Sequence, residues 1–192
     1  MSADTDLQAL KTALSERFGE DFAVDPELAG VHELSQIAGH RSHRRFLPRP
    51  VAPELLRLLC ACALSAPSKS DLQQADIVVV DDAKVRQGIV DTIPDMPWIM
   101  DAPVFLMFVG NGARLPLMAR THGKPFPNDH LDQFFNAAVD AAIVMTTFIR
   151  AATAAGLGTC PISAVRDHPQ TVSELLHLPQ RVFPVAGLCV GY

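Results

Sequence analysis

The stretch Leu131–Ala155 limits most strongly how this chain can fold. It reads as one long helix, and from Val139 onward its residues are apolar nearly all round. A helix without a polar face must be covered on several sides. A chain of 192 residues supplies one compact core, so the simplest cover is a second copy of the same helix. A seam of that kind would run through Ala142 and Val144. The helix is expected to stop at Gly156, where a left-handed cap is cheap.

Around it the pattern alternates helices with a few strands. Leu7, Leu10, Leu14 and Phe18 have the spacing of an amphipathic helix ending near Gly19. The segment 40–50, HRSHRRFLPRP, carries four of the twelve arginines, and Pro48, Pro50 and Pro53 end any regular element before a helix over 53–66. Residues 66–74 read as a loop, and DIVVVD (76–81) and PVFLMFVG (103–110) as buried strands joined by a helix in AKVRQGIVDTI. Residues 111–130 have no clear period and suit either a mobile lid or an ordered excursion over a partner. GLGTCPIS is expected as a short strand and loop, HPQTVSELLHL as a helix and VFPVAGLCVGY as the last strand. This order gives an α/β or α+β chain without repeats or flexible linkers.

Composition excludes several classes. With 48% hydrophobic residues, wholesale disorder is ruled out. A net charge of −5 argues against nucleic acid as a partner. No run of about 18 apolar residues predicts a membrane span. The start, MSADTDLQAL, lacks the features of a secretory signal, and four cysteines do not make a disulfide framework. A soluble cytoplasmic protein is the expectation.

The candidate chemistry is sparse. His40, Arg41, Ser42, Arg44 and Arg45 form a basic cluster that would suit a phosphate, because guanidinium forks match its oxygens, although composition alone favours a solvated basic face. Ser68, Lys69, Ser70, Asp71 and Gln73 could bond a polar heterocycle or serve as an ordinary turn. Neither GxGxxG nor GxxxxGK[ST] occurs, which disfavours a Rossmann dehydrogenase and a P-loop enzyme. Cys60 and Cys62 fall on different helix faces, and no paired metal motif exists. His122 and His130, near Asp129 and Asp132, leave room for a weak metal site or plain loop polarity. There is no GxSxG elbow; Cys160 is either a nucleophile or a packed thiol.

Taken in order, GHRSHRRF (39–46), APSKSDLQ (66–73), DAPVFLMFVG (101–110), the run 140–179 and FPVAGLCVGY (183–192) resemble the FMN-dependent nitroreductase family, in its NADPH nitroreductase and flavin reductase branch. The resemblance covers residues 39–192, with 1–38 as a helical extension of one domain. It implies an α+β fold: a small mixed, mainly antiparallel sheet flanked by helices, in a homodimer with a long buried central helix. It also implies FMN at the dimer interface, with NAD(P)H as cosubstrate.

By position, His40 and Arg41 match the phosphate-binding part of the family segment, Ser42 the ribityl contact and Arg44 the flavin N1/O2 edge. Ser68, Lys69, Ser70 and Gln73 match the loop that reaches the flavin from the partner subunit. Pro161, Ile162, Ser163 and Ala164 match the loop beside the ring, and Arg166 a position that can meet the nicotinamide cofactor's phosphate or cap the adjacent helix. Asp71, Gln74–Ala75, Met96–Trp98 and Ser163–Ala164 depart from the family's usual residues, and the family's usual tail beyond the last strand is not part of the sequence. The resemblance implies a ping-pong oxidoreductase for nitroaromatic, quinone or flavin acceptors that needs no protein catalytic residue. The alternatives are a flavin-binding storage or sensing protein and a cofactor-free structural dimer.

Overall fold

The computed structural model describes residues 3–192, which form two compact units meeting in sequence between Ser42 and His43. The first unit contains helix α1 (Ala3–Phe18), as expected, and it ends where Gly19 turns left-handed with φ 74°. It also contains helix α2 (Val31–Ala38), which the sequence reading did not anticipate. Eight residues opened by Gly30, without a side-chain cap, leave little local signal. Leu10, Val31 and Ala38 form its small core, and the buried Asp6 carboxylate bonds His32 Nδ1 at 3.0 Å.

The second unit is built on a four-stranded sheet of order β1 (Ala75–Val79), β2 (Val104–Asn111), β4 (Val182–Gly191), β3 (Gly158–Ile162). All three pairings are antiparallel. The continuous apolar run of β2 has a simple cause: both faces of the sheet are covered. Leu106 and Phe108 point to one core with helix α3 (Pro53–Leu64) and helix α6 (Leu131–Ala154), where Phe108 meets Phe148 edge-to-face at 5.9 Å. Phe105, Met107 and Val109 point to the other core, which holds Ile89 of helix α4 (Ala83–Asp91) and Val172 of helix α7 (Pro169–Leu175). Gly187 of β4 is required here, since a Cβ would stand 2.7 Å from the Phe105 ring.

Within 111–130, left without an element by the periodicity, the structure places helix α5 (Arg114–Thr121). Its start is organised from outside the helix: Asn111 Oδ1, at the end of β2, accepts from the amides of Ala113 and Arg114 at 3.1 Å each. Pro116 sits in its first turn, where its missing N–H costs nothing.

The long helix has the expected span but not the expected coverage. Ala137, Asp140, Ala141, Val144, Phe148 and Ala152 are buried within the chain. The opposite stripe of Leu131 (77% exposed), Phe135 (62%) and Val139 (36%) is open, and Ala142 lies on that side. Val144 therefore belongs to the internal core, not to a seam with Ala142. Thr146 and Thr147 return their hydroxyls to the carbonyls of Ala142 and Ile143 at 2.9 Å, which satisfies them on an apolar surface. By length and composition α6 could cross a membrane, but its buried half is the core of this sheet-and-helix unit.

Candidate flavin site

The candidate residues fall into three groups. His40, Arg41 and Ser42 lie in the first unit, just after α2. There the His40 carbonyl accepts from Arg17 at 3.2 Å and from Arg41 at 3.1 Å. Arg41 also approaches Glu16 at 4.0 Å, both side chains being well exposed. A pair that long and that wet holds Arg41 weakly, so the guanidinium is available to a better anion.

The second group lies along β3, an edge strand. His43 N–H donates to the Thr159 carbonyl at 2.9 Å, and the His43 ring covers Gly158, where a Cβ would clash at 2.9 Å. This laces the segment carrying Arg44 to the strand leading into Pro161–Arg166. Arg44 is exposed, and its side chain makes no hydrogen bond or ion pair among the described residues. Pro161 and Ser163 are exposed and Ala164 half-buried, whereas the Ile162 side chain is locked in the second core and offers only its backbone. Arg166 does not cap α7. Its guanidinium donates to the Val185 carbonyl at 2.5 Å, and Val185 is the extra residue of a bulge in β4 opposite Phe108 and Val109.

The third group is the loop between α3 and β1, beside the opposite edge of the sheet. Ser70, Asp71 and Gln73 adopt φ of 53°, 56° and 50°. Three non-glycine residues in the left-handed region cost about 1 kcal/mol or more each, so something must hold them. Ser68 Oγ accepts from the Gln73 amide at 3.1 Å, and the Gln73 side chain donates to Asp71 at 3.2 Å. Asp140, 1% exposed, accepts from the amides of Lys69 and Gln74, each at 3.0 Å. Arg114 donates to the Gln73 carbonyl and pairs with Asp76 at 2.5 Å. A cavity of about 140 Å³ lies here, lined by Ser68, Gln73, Asp76, Arg114 and Asp140 among others. Gln74 is fully buried, and its side-chain Nε2 and Oε1 have no hydrogen-bond partner among the described residues.

Asp140 and Arg114 were not singled out from the sequence. Asp140 did carry a signal, as the one charge within Ala137–Phe148; Arg114 carried none. The other possibilities resolve into packing. Cys160 (2% exposed) faces Cys189 across the β3–β4 pair, and burial pushes the Cys189 thiol up to about 12. Asp129 is engaged by both guanidinium nitrogens of Arg181, whose hydrogen bond holds its carboxyl below the usual range, and His130 accepts from the Asp132 amide at 3.3 Å. Among the described residues no group of three or more His, Cys, Asp or Glu is placed to hold a metal ion. Trp98 packs against the second core.

The exposed arginines, the shaped Ser/Gln loop and the backbone beside β3 suit a large, flat, anionic ligand better than a metal or an acyl substrate. Comparison with known proteins points the same way. The chain is 38% identical over 161 residues to the FMN reductase [NAD(P)H] of Bacillus subtilis (strain 168), and 31% identical over 162 residues to the oxygen-insensitive NADPH nitroreductase of Salmonella typhimurium. Each match covers 83% of this chain and 65% of the relative, so the chain spans just under two thirds of their length. Among solved structures, the NADPH:FMN oxidoreductase from Vibrio harveyi complexed with NAD+ superimposes with a TM-score of 0.76 at 28% identity, covering 83% of this chain and 68% of that one. Residues 37–192, which include every candidate residue named above, match the model of the nitroreductase family, and the chain belongs to that family.

Proposed function

We propose that the chain is an FMN-dependent NAD(P)H oxidoreductase of the cytoplasm, acting as a homodimer on nitroaromatic, quinone or flavin acceptors. The observation that carries this reading is the placement of the candidate groups on the sheet. Arg44 and Pro161–Arg166 flank β3, and Ser68–Gln73 flanks β1, on opposite edges. Three strand spacings separate those edges, roughly 14 Å. The two groups lie on opposite sides of the sheet and its core, so in this reading one copy supplies the β3 edge and the second copy the Ser68–Gln73 loop. The open apolar stripe of Leu131, Phe135 and Val139 on α6 supplies a surface on which the copies can meet.

The residues present fit the cofactor. Among the described residues no side chain pairs with the cations of Arg44 and Lys69. Ser68 and Ser70 offer hydroxyls on a loop held in left-handed backbone conformations that ordinary sequences avoid. His40, Arg41 and Ser42 would hold the phosphate and ribityl chain, and Arg44 the N1/O2 edge, where a fixed cation stabilises the negative charge of the reduced ring. Pro161, Ile162, Ser163 and Ala164 would line the ring with backbone groups. The chemistry supplied by bound FMN is hydride acceptance from NAD(P)H, followed by reduction of a second substrate in the same slot. The protein's part is to orient, to stabilise charge and to exclude competing contacts. Arg166 keeps the loop after β3 in place through its bond to Val185.

The test is spectroscopic and kinetic. Purified protein loaded with FMN should be yellow, release FMN on denaturation, and oxidise NAD(P)H with a quinone faster than free FMN does. Colourless protein that takes up no FMN overturns the proposal. Flavin uptake with turnover no faster than free FMN leaves a binding protein instead of an enzyme.

A further inference from the structure

The loop that carries Ser68, Lys69, Ser70 and Gln73 is tied through its backbone by a residue of the core helix. Asp140 sits in the middle of α6, on the buried face between Ala137, Ala141 and Val144. One carboxylate oxygen accepts from the Lys69 amide and the other from the Gln74 amide, each at 3.0 Å. The two bonds fasten both ends of the segment in which Ser70, Asp71 and Gln73 are left-handed. Arg114 holds the Gln73 carbonyl from the side of α5. Without these ties, residues that rarely adopt positive φ would relax toward ordinary turn conformations.

We infer that Asp140 is a positioning residue of the cofactor site: by tying the 69–74 backbone to the core helix, it presets the loop for FMN and so sets flavin affinity. The inference rests on the flavin-binding reading above. The residue type matters, since each of the two carboxyl oxygens accepts one backbone N–H. An asparagine of the same shape offers one oxygen and one NH₂, leaving either Lys69 or Gln74 with an unpaired buried amide.

The experiment uses the full chain, with Asp140→Asn as the first variant. Three quantities are measured: amide hydrogen exchange across 69–74, the FMN dissociation constant from quenching of flavin fluorescence, and visible circular dichroism at saturating FMN. The expected result is faster exchange in 69–74, a dissociation constant raised about tenfold to a hundredfold, and an altered flavin dichroism band. Dichroism at saturation separates positioning from simple loss of stability, which leaves the band of the bound ring unchanged. An unchanged dissociation constant, or a raised one with the wild-type band, overturns the inference while the flavin reading stands. Wild-type protein that binds no FMN overturns both. Should Asp140→Asn fail to fold, Arg114→Gln, on a part-exposed side chain holding the same loop, decides: weaker FMN binding with an altered band supports the inference, and wild-type binding overturns it.

Discussion

Raising the pH should destabilise this protein through one buried thiol, and replacing Cys189 should remove that loss. Cys189 is fully enclosed in the core between the sheet and α4 and α7, facing Cys160. Burial raises its pKa from 9.0 to about 12, although Arg86 nearby pulls the other way. In the unfolded chain the thiol ionises near its ordinary value, while in the folded protein it stays protonated. The folded state therefore binds more protons between those two values. The sign follows from linkage: this contribution is fully present below pH 9 and is lost as pH rises toward 12. At about pH 10 the unfolded thiolate is favoured by roughly 1.4 kcal/mol relative to neutral pH, and each further unit costs about as much again. For a chain of this size that corresponds to a fall in melting temperature of about 3–6 °C.

Subtracting a variant that lacks the thiol isolates its contribution, so the measurement is a difference. Melting temperatures of wild type and Cys189→Ala are compared at about pH 7, 9 and 10. The alanine leaves a small cavity whose cost is the same at every pH, so the wild-type advantage should shrink as pH rises. Parallel curves would refute the reasoning, because they would mean that the thiol ionises at the same pH whether folded or not.

Other perturbations test other parts of the structure. Gly187→Ala places a methyl 2.7 Å from the Phe105 ring in a closed core, and overpacking of this kind should cost about 1–3 kcal/mol in a denaturant titration. Ala142→Glu adds a charge to the open stripe of α6 and should yield folded monomers in sedimentation, whereas Val144→Glu buries a charge in the core and should yield unfolded protein. Arg44→Ala should weaken FMN binding by about 1–3 kcal/mol while leaving the melting temperature of flavin-free protein within a degree or so; unchanged affinity in calorimetry would remove it from the site.

How much was legible from sequence depends on the range of the interaction that decides each feature. The span of α6, the paired strands around 76–79 and 104–110, and the end of α1 at Gly19 follow from periodicity, β-branched runs and a glycine stop, all short-range signals. The segments that carry the family resemblance are legible for the same reason. Helix α5 was not, because its first turn is organised by Asn111 at the end of a strand instead of by its own cap. Which side of α6 faces inward was settled by packing against β2 and α3, and so Val144 and Ala142 separate although both are small and apolar.

For the candidate site, the residue types were readable but their grouping was not. Sheet order alone sends the Ser68–Gln73 loop and the Arg44–Arg166 group to opposite edges. Asp140 meets Lys69 and Gln74 across 71 and 66 residues of chain, and those two bonds tie both ends of the left-handed loop to the core helix. Arg166 finds a carbonyl that only a bulge in β4 leaves unpaired. By itself the amino-acid order determined where α1, the long helix α6 and the buried strands run, since those depend on neighbours a few positions away. Only the tertiary structure decided which buried carboxylate holds which loop, because that requires two distant backbones to arrive within hydrogen-bond reach of each other.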